Sequence, residues 1–378
     1  MVATSSIGLV SADSHVNEPR DLWLSNLPAS MRDQAMQGLT SDEDGGWTAI
    51  LDGRHLDMRT DDEAERLAML DPDKRFQAMR SEGIAGECIF PGIGLYVWML
   101  EDPEGGKASC RIYNEWIHDT LQSRSDRFRC AGLVPTWRVD DAVEEIELIA
   151  ELGLGAAMLP TVAPTPYNHR MWDPVWSTLE SARLPVVMHQ GSGHSMIFYR
   201  GPGATIANLV STQTMGTRTA AMLSTSGVLE RHPGIHVVFV EYNAGWLAPL
   251  METIDYYNVA FANYTTMTQG SAGTSRDGKP ARPVIYPGLA EPPSFYIKRQ
   301  IHATFQKDAA AIHNVPLTGP QCLMWGSDFP HEEGTFGESP AVVDELSAGL
   351  DEATAAAIFR ENAIDVFGFD QELMSTLP

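Results

Sequence analysis

Cysteine is scarce in this sequence: Cys88, Cys110, Cys130 and Cys322 are the four among 378 residues, and no two stand in a Cys-x-x-Cys pair. Structural zinc and dithiol redox motifs are therefore not expected. Cys88 and Cys322 fall inside apolar, strand-like runs and read as buried, inert thiols. Basic residues are also few, 26 Lys and Arg against 50 Asp and Glu, for a net charge of −24. That balance argues against nucleic acid or an anionic membrane surface as partner. No apolar run approaches the roughly 18 residues of a membrane span. A basic segment leading into an apolar core and a cleavage site is missing from the N-terminus, so no secretory signal is expected and the cytoplasm is the expected location. Missing too are Gly-x-Gly-x-x-Gly and Gly-x-x-x-x-Gly-Lys-Ser/Thr, which weakens the nucleotide-binding versions of an open doubly wound sheet.

What is present describes an ordinary globular enzyme: 43% hydrophobic and 20% charged residues. Eight short apolar runs alternate with helical patterns, at Ile7–Ala12, Ala85–Phe90, Cys130–Pro135, Ala156–Leu159, Leu184–Met188, His236–Val240, Ile301–Phe305 and Cys322–Gly326. That alternation predicts an α/β fold, a (β/α)8 TIM barrel occupying residues 1–378 as one domain. Two stretches interrupt it, an insertion over 16–70 and a Gly-, Pro-, Ser- and Thr-rich lid or loop over 263–293. Within the first, Trp47 to Arg59 reads as a hairpin turning at Asp52-Gly53. Helices are expected at Asp73–Ser81, Lys107–Arg127 and Asp140–Leu152, and after Asp173 as N-cap with Pro174 in first position. Further helices are expected over about Ala204–Arg231, after strand six, and at Ala341–Ala348 and Glu352–Val366.

Polar residues cluster where these strands end. Asp13 and His15 close the first, and their i, i+2 spacing lets both face one point. His189 closes the fifth strand, Glu241 the sixth and Asp328 the eighth. In a barrel those ends meet at one mouth, where imidazole nitrogen and carboxylate oxygen suit a divalent first-row cation. Asp328 could also take a proton.

Four segments carry a resemblance: Asp13-x-His15; Met188-His189-Gln190-Gly191; Leu229-Glu230-Arg231-His232-Pro233; and Trp325-Gly326-Ser327-Asp328-Phe329-Pro330-His331. Together they resemble the amidohydrolase-related, decarboxylase-like branch of the metal-dependent amidohydrolase superfamily, along nearly the whole chain to Glu361-Asn362-Ala363. The resemblance implies a barrel holding a divalent metal, often zinc or manganese, on Asp13, His15, His189 and Asp328, and hydrolysis or nonoxidative decarboxylation of a small organic substrate. The sequence departs from the family at two places. Glu241 stands where strand six usually ends in histidine, and strand four has no lysine to bridge two metals. A carboxylate-richer site with Glu241, and with His331 or His194 nearby, suits iron or manganese. A dinuclear iron or iron–manganese oxygenase resembling an N-hydroxylase is the runner-up, and a catalytically silent partner subunit a third reading.

Around this set, Glu241 reads equally as a metal ligand or as a carboxylate orienting a ligand histidine. His331, Asp328 and Glu241 are the candidate catalytic groups. Glu18 reads as a helix-entry or salt-bridge residue and His302 as a satisfied core histidine. His55, His118, His169, His232, His236 and His313 read as structural or surface residues. Tyr96, Trp98, Phe198 and Tyr199 could wall an aromatic pocket, and Arg200 and Arg218 could hold a substrate carboxylate. Met- and Trp-rich helices make a homo- or hetero-oligomer the expected assembly.

Overall fold

The computed structural model describes residues 8–41, 47–51, 54–58, 70–194, 199–261, 266–268, 283–285, 288–331 and 333–378. Thirteen strands occur among them. β1 (Leu9–Ser11) is followed by β2 (Gln37–Ser41), β3 (Trp47–Leu51) and β4 (Arg54–Met58) of the insertion. Then come β5 (Ile84–Ile89), β6 (Phe128–Leu133), β7 (Ala156–Met158), β8 (Val186–His189) and β9 (Val237–Val240). A short pair, β10 (Thr266–Thr268) and β11 (Pro283–Ile285), precedes β12 (Ile301–Phe305) and β13 (Leu323–Trp325).

Eight of these make one parallel sheet in the order β1-β5-β6-β7-β8-β9-β12-β13. Its two edges meet. Ala12 N–H donates to Trp325 O at 3.0 Å, Asp328 N–H donates to Asp13 O at 2.9 Å, and Ser14 bridges Phe329. The expected TIM barrel is the observed fold. Nearly every barrel-strand residue is buried, as parallel strands covered by helices must be, which is why the runs read as continuously apolar.

The helices follow their local signals. Asp71 caps Pro72–Glu82 by accepting from Asp73 N–H, and Gly83, in the left-handed region, ends it. Asp102 caps Pro103–Thr120, with a 3-10 turn at Gln122–Arg124 completing the helix expected to reach Arg127. Three expectations need correction. Asp173 does not cap; it is the first helical residue of Asp173–Ala182, and its carboxylate instead bonds Arg170 and Arg231. The single helix expected over Ala204–Arg231 is two, Ala204–Thr225 and Val228–Arg231, split where Gly227 adopts a positive φ. The region 263–293 is not all loop. It holds the antiparallel β10–β11 pair and ends where Pro293 starts the helix Pro293–Gln300; the rest of it lies outside the described residues. The insertion likewise adds β2 to the expected β3–β4 hairpin, whose register Trp47↔Met58 to Leu51↔Arg54 matches the reading although the Asp52-Gly53 turn lies outside the described residues.

Candidate metal centre

The carboxyl ends of the barrel strands deliver the predicted side chains to one mouth. Asp13 and His15 lie just past β1, His189 ends β8, Glu241 follows β9, and Asp328 and His331 follow β13. Two of these positions are bent sharply: Asp328 and Glu241 have φ of 55° and 67°, a region L-residues other than Asn and Asp seldom occupy. Gly326 explains part of the tight approach. A side chain there would collide with the Cβ and backbone N of Asp13, so only glycine lets the two sheet edges close.

The histidines are oriented from behind. His15 Nδ1 lies 2.9 Å from Pro91 O, and His189 Nδ1 lies 2.8 Å from Gln190 O. A carbonyl only accepts, so both Nδ1 atoms carry hydrogen, and it is Nε2 of each ring that can offer a lone pair. Those Nε2 atoms face one another at 3.1 Å. Beside them sits Asp13 Oδ1, 3.5 Å from His15 Nε2 and 3.7 Å from His189 Nε2, buried and without a hydrogen-bond partner. A point equidistant from these three atoms lies about 2.0 Å from each, the bond length of a first-row cation to imidazole or carboxylate. Three electron-rich atoms turned on one another in a dry pocket repel unless a cation lies between them, so the donor set fits the metal that the sequence motifs imply.

The backbone around His189 is pinned as well. Its carbonyl accepts from Ser192 Oγ at 2.7 Å and from Tyr242 OH and Thr161 Oγ1, each at 3.2 Å. Arg75, fully buried, donates from Nη1 to His15 O at 3.0 Å and pairs with Glu87 at 2.6 Å; its guanidinium stands 5.8 Å from the Phe329 ring centroid.

Asp328, Glu241 and His331 form a second group that shares His15. Asp328 Oδ1 is 3.5 Å from His15 Nε2 and 2.9 Å from His331 Nδ1, and its Oδ2 is buried without a partner. Burial lifts the Asp328 carboxyl to about 6 against the pull of His331. Burial opposes charge on His331, but the Asp328 carboxylate more than offsets it and raises the imidazole to about 9. His15 stays neutral: burial, then the charge of His331, holds it at about 3. Glu241 is pushed well above the usual carboxylate range by burial and by Asp328 and Asp13. Its N–H donates to Thr304 Oγ1 at 2.8 Å, and its Oε2 approaches His189 Nδ1 at 3.6 Å.

Other candidates separate cleanly. Tyr96 is half-buried, and burial, with the charge of Glu241, raises its phenol. Trp98 is turned into the wall, donating to Val134 O at 2.9 Å. Tyr199, Arg200 and Arg218 are exposed, and Phe198 lies outside the described residues. His194 bonds Thr136 Oγ1 at 2.8 Å and meets Trp137 edge-on, away from both ligand groups. Glu18 accepts from Ile93 and Gly94 N–H at the start of the 3-10 helix Ile93–Met99, serving a helix remote in sequence and not the one after Pro19. His302 is satisfied, between His236 Nδ1 at 2.9 Å and Gln321 O at 2.8 Å. His232 lies against Asp173 and Glu180, so this part of the Leu229–Pro233 motif is structural. The sequence reading passed over Gln306, whose Nε2 approaches Asp13 Oδ2 at 3.4 Å. Its place one residue past β12 was the signal available. Arg75 was passed over as well, and nothing in its surroundings in sequence marks it.

A parallel barrel with imidazoles and carboxylates converging on its carboxyl-end mouth defines a class, the barrel enzymes built around a cation. The chain belongs to the Amidohydrolase family, whose model matches residues 12–369. Among solved structures it is similar to an amidohydrolase from Mycobacterium avium subsp. paratuberculosis K-10, at 18% identity and a TM-score of 0.73, covering 96% of this chain and 99% of that one. It is similar to 5-carboxyvanillate decarboxylase from Sphingomonas paucimobilis, at 19% identity, a TM-score of 0.64, and 97% and 100% coverage. A third is the dihydroxybenzoic acid decarboxylase from Polaromonas sp. JS666, solved with bound manganese and the inhibitor 2-nitroresorcinol, at 15% identity, a TM-score of 0.63, and 97% and 99% coverage. No curated protein matches.

Proposed function

We propose that this chain is a divalent-metal-dependent enzyme that nonoxidatively decarboxylates, or hydrolyses, a small organic substrate, with decarboxylation the leading reaction. One observation carries the reading: the facing Nε2 atoms of His15 and His189, 3.1 Å apart beside the unpartnered Asp13 Oδ1. Asp13, His15 and His189 would hold the ion, with Asp328 and Glu241 completing the set. When bound, the cation polarises an oxygen of the substrate or acidifies water.

The chain's own groups handle the proton. In decarboxylation the C–CO2 bond breaks, its electron pair stays on the substrate carbon, and that carbon takes a proton from the Asp328 carboxyl. A carboxyl lifted by burial to about 6 keeps a protonated fraction near neutrality, which suits a proton donor. His331, hydrogen-bonded to Asp328 and 35% exposed, connects that carboxyl to solvent. In hydrolysis the same carboxylate would accept the proton of the attacking water. The decarboxylases similar in fold act on oxygenated benzoates, and Tyr96 at the mouth offers such a ring an aromatic neighbour.

Four further features complete this proposal. The chain acts as one catalytic domain. The metal is manganese, zinc or iron. The molecule is an oligomer through the exposed Ile206, Leu209 and Val210 of the helix Ala204–Thr225. Its compartment is the cytoplasm, where four free, buried cysteines are at ease.

The test is a panel of hydroxybenzoates, including 2,6-dihydroxybenzoate and 5-carboxyvanillate, set beside esters, amides and lactones, with manganese- or zinc-loaded protein. Metal-dependent CO2 release that chelation abolishes is the expected result. Hydrolysis without CO2 release would select the second chemistry. A protein that binds no divalent ion would overturn the reading.

A further inference from the structure

Two stretches of chain grip one another where β1 and β5 leave the barrel. From the first, His15 donates from Nδ1 to Pro91 O at 2.9 Å, and its backbone bridges Phe90. Three residues on, the buried Glu18 reaches back to the same turn. It accepts from Ile93 N–H at 2.9 Å on one carboxylate oxygen and from Gly94 N–H at 3.0 Å on the other. We infer that Glu18 is a positioning residue of the metal centre: by fixing the turn 91–94 it aims the carbonyl that sets the tautomer and direction of His15, and through the 3-10 helix that follows it places Tyr96. The inference rests on the reading of His15 as a metal ligand.

Three observations carry it. The path from Glu18 to His15 runs through one rigid unit. Gly92 N–H also bonds the Glu18 carboxyl, and that N–H belongs to the same planar peptide as the Pro91 carbonyl, so the plane is held by Glu18 at one end and by His15 at the other. The fit is close. A Cβ on Gly94 would stand 2.9 Å from Glu18 Oε1 and 2.8 Å from Pro91 Cβ, and one on Gly92 would stand 2.7 Å from Val16 O, so glycine at both places lets carboxylate and turn approach. The donors are also shut off from water: Ile93 and Gly94 are buried, and without the carboxylate their N–H groups would be stranded in an apolar wall.

His189 supplies the contrast. Its Nδ1 meets the carbonyl of Gln190, its own neighbour in sequence, at 2.8 Å. The two facing histidines are thus oriented by different parts of the chain, and only His15 depends on the turn that Glu18 holds. On the other side of that turn, Tyr96 stands two residues past Gly94 in the helix Ile93–Met99, half-buried and within the field of Glu241. One carboxylate therefore links an imidazole of the site to an aromatic group beside it, and acts on the reaction through both. Glutamine at position 18 would keep the size of the side chain but turn one of its two acceptors into an NH2, which cannot accept from a backbone N–H. The turn then loses a tie, and the Pro91 carbonyl is free to leave His15.

The test uses the full chain. Imidazole 15N resonances are recorded on metal-free protein at pH 7.5, assigned with His15→Gln and His189→Gln, and Mn2+ affinity is measured by titration. The unaltered chain should show both histidines with hydrogen on Nδ1. In Glu18→Gln, His15 is expected to move toward the Nε2–H tautomer while His189 keeps its own, and Mn2+ to bind about 10–100-fold more weakly. Gly94→Ala crowds Glu18 Oε1 without removing the carboxylate; it should move His15 the same way, and it serves alone if Glu18→Gln does not fold. His15 unmoved in the variants that fold, or His15 and His189 disturbed alike, would overturn the inference. An unaltered chain that binds no Mn2+ would overturn the reading of the site as a metal centre instead, and the tautomer of His15, read without metal, still decides the role of Glu18.

Discussion

At the scale of single residues, the proposal gives Asp328 two duties, to complete the cation's ligand set and to move a proton. Asp328→Asn keeps the shape but removes the transferable proton, and general acid–base groups contribute about 10^2–10^4-fold. The expected outcome is a loss of that size in kcat, with the ion on Asp13, His15 and His189 retained. Metal analysis beside steady-state kinetics reads both. A variant that keeps most of its turnover would remove Asp328 from the chemistry. Arg75 works one step further back, touching the carbonyl of His15 and the face of Phe329, the residue after Asp328. Arg75→Leu strands Glu87 as a buried charge and should cost about 3–5 kcal/mol in stability. Arg75→Leu combined with Glu87→Leu should recover much of that loss in urea unfolding yet still bind metal more weakly than the unaltered chain. If affinity recovers together with stability, Arg75 serves the fold and not the ligands.

At the scale of elements, the strands were legible because burial on both faces writes each as an unbroken apolar run, and β12 matched the expected Ile301–Phe305 end to end. The positions of the candidate ligands were legible for a related reason: a polar residue directly after such a run has few places to be except the barrel mouth. What composition could not convey was connection. The break at Gly227 looks like a continuing helix, since the apolar spacing carries on across it. Asp173 reads as a cap until Arg170 and Arg231 claim its carboxylate. Nor does local sequence show that Asp13, His15 and His189 turn on one point while Glu241, Asp328 and His331 gather with the same His15. His302 in β12 gives a prediction at this scale. Its Nδ1 donates to Gln321 O and its Nε2 accepts from His236, and burial, then the nearby His236, depresses it to about 3. A histidine depressed in the fold stabilises above its unfolded value of about 6.5 and loses that contribution as pH falls toward 3, because the unfolded chain takes the proton first. By pH 5 the loss amounts to about 2 kcal/mol. Urea unfolding of His302→Gln at pH 7.5 and pH 5 should therefore show a smaller acid-induced drop than the unaltered protein, by that amount. Equal drops would mean that this histidine does not titrate with folding.

At the scale of the whole molecule, a cation on the proposed ligands would tie together parts of the chain that are remote in sequence. β1 and the segment after β13 lie near opposite ends of the polymer, and they close the barrel through Ala12–Trp325 and Asp13–Asp328 backbone bonds at the very place where the ligands sit. An ion held there would therefore act on the closure as well as on the chemistry. The unfolded chain cannot assemble these ligands, so the ion stabilises the folded state by mass action, about 2.7 kcal/mol when free metal is a hundredfold above its dissociation constant. Net charge sharpens the effect. A chain at −24 that loses a divalent cation from a cluster of carboxylates gains repulsion at its most crowded point. Chelation should thus lower the thermal midpoint by several degrees, and moderate salt should restore part of that loss in the stripped protein while changing the loaded protein less. His189→Ala, which removes one of the facing imidazoles, should melt near the stripped value and respond to neither chelator nor added metal. Differential scanning calorimetry on the loaded, stripped and His189→Ala proteins checks all three expectations. A midpoint indifferent to chelation, in protein whose metal content is verified, would mean the barrel closes without help from the ion, and the electrostatic account of why so many unpartnered oxygens are buried there would have to be abandoned.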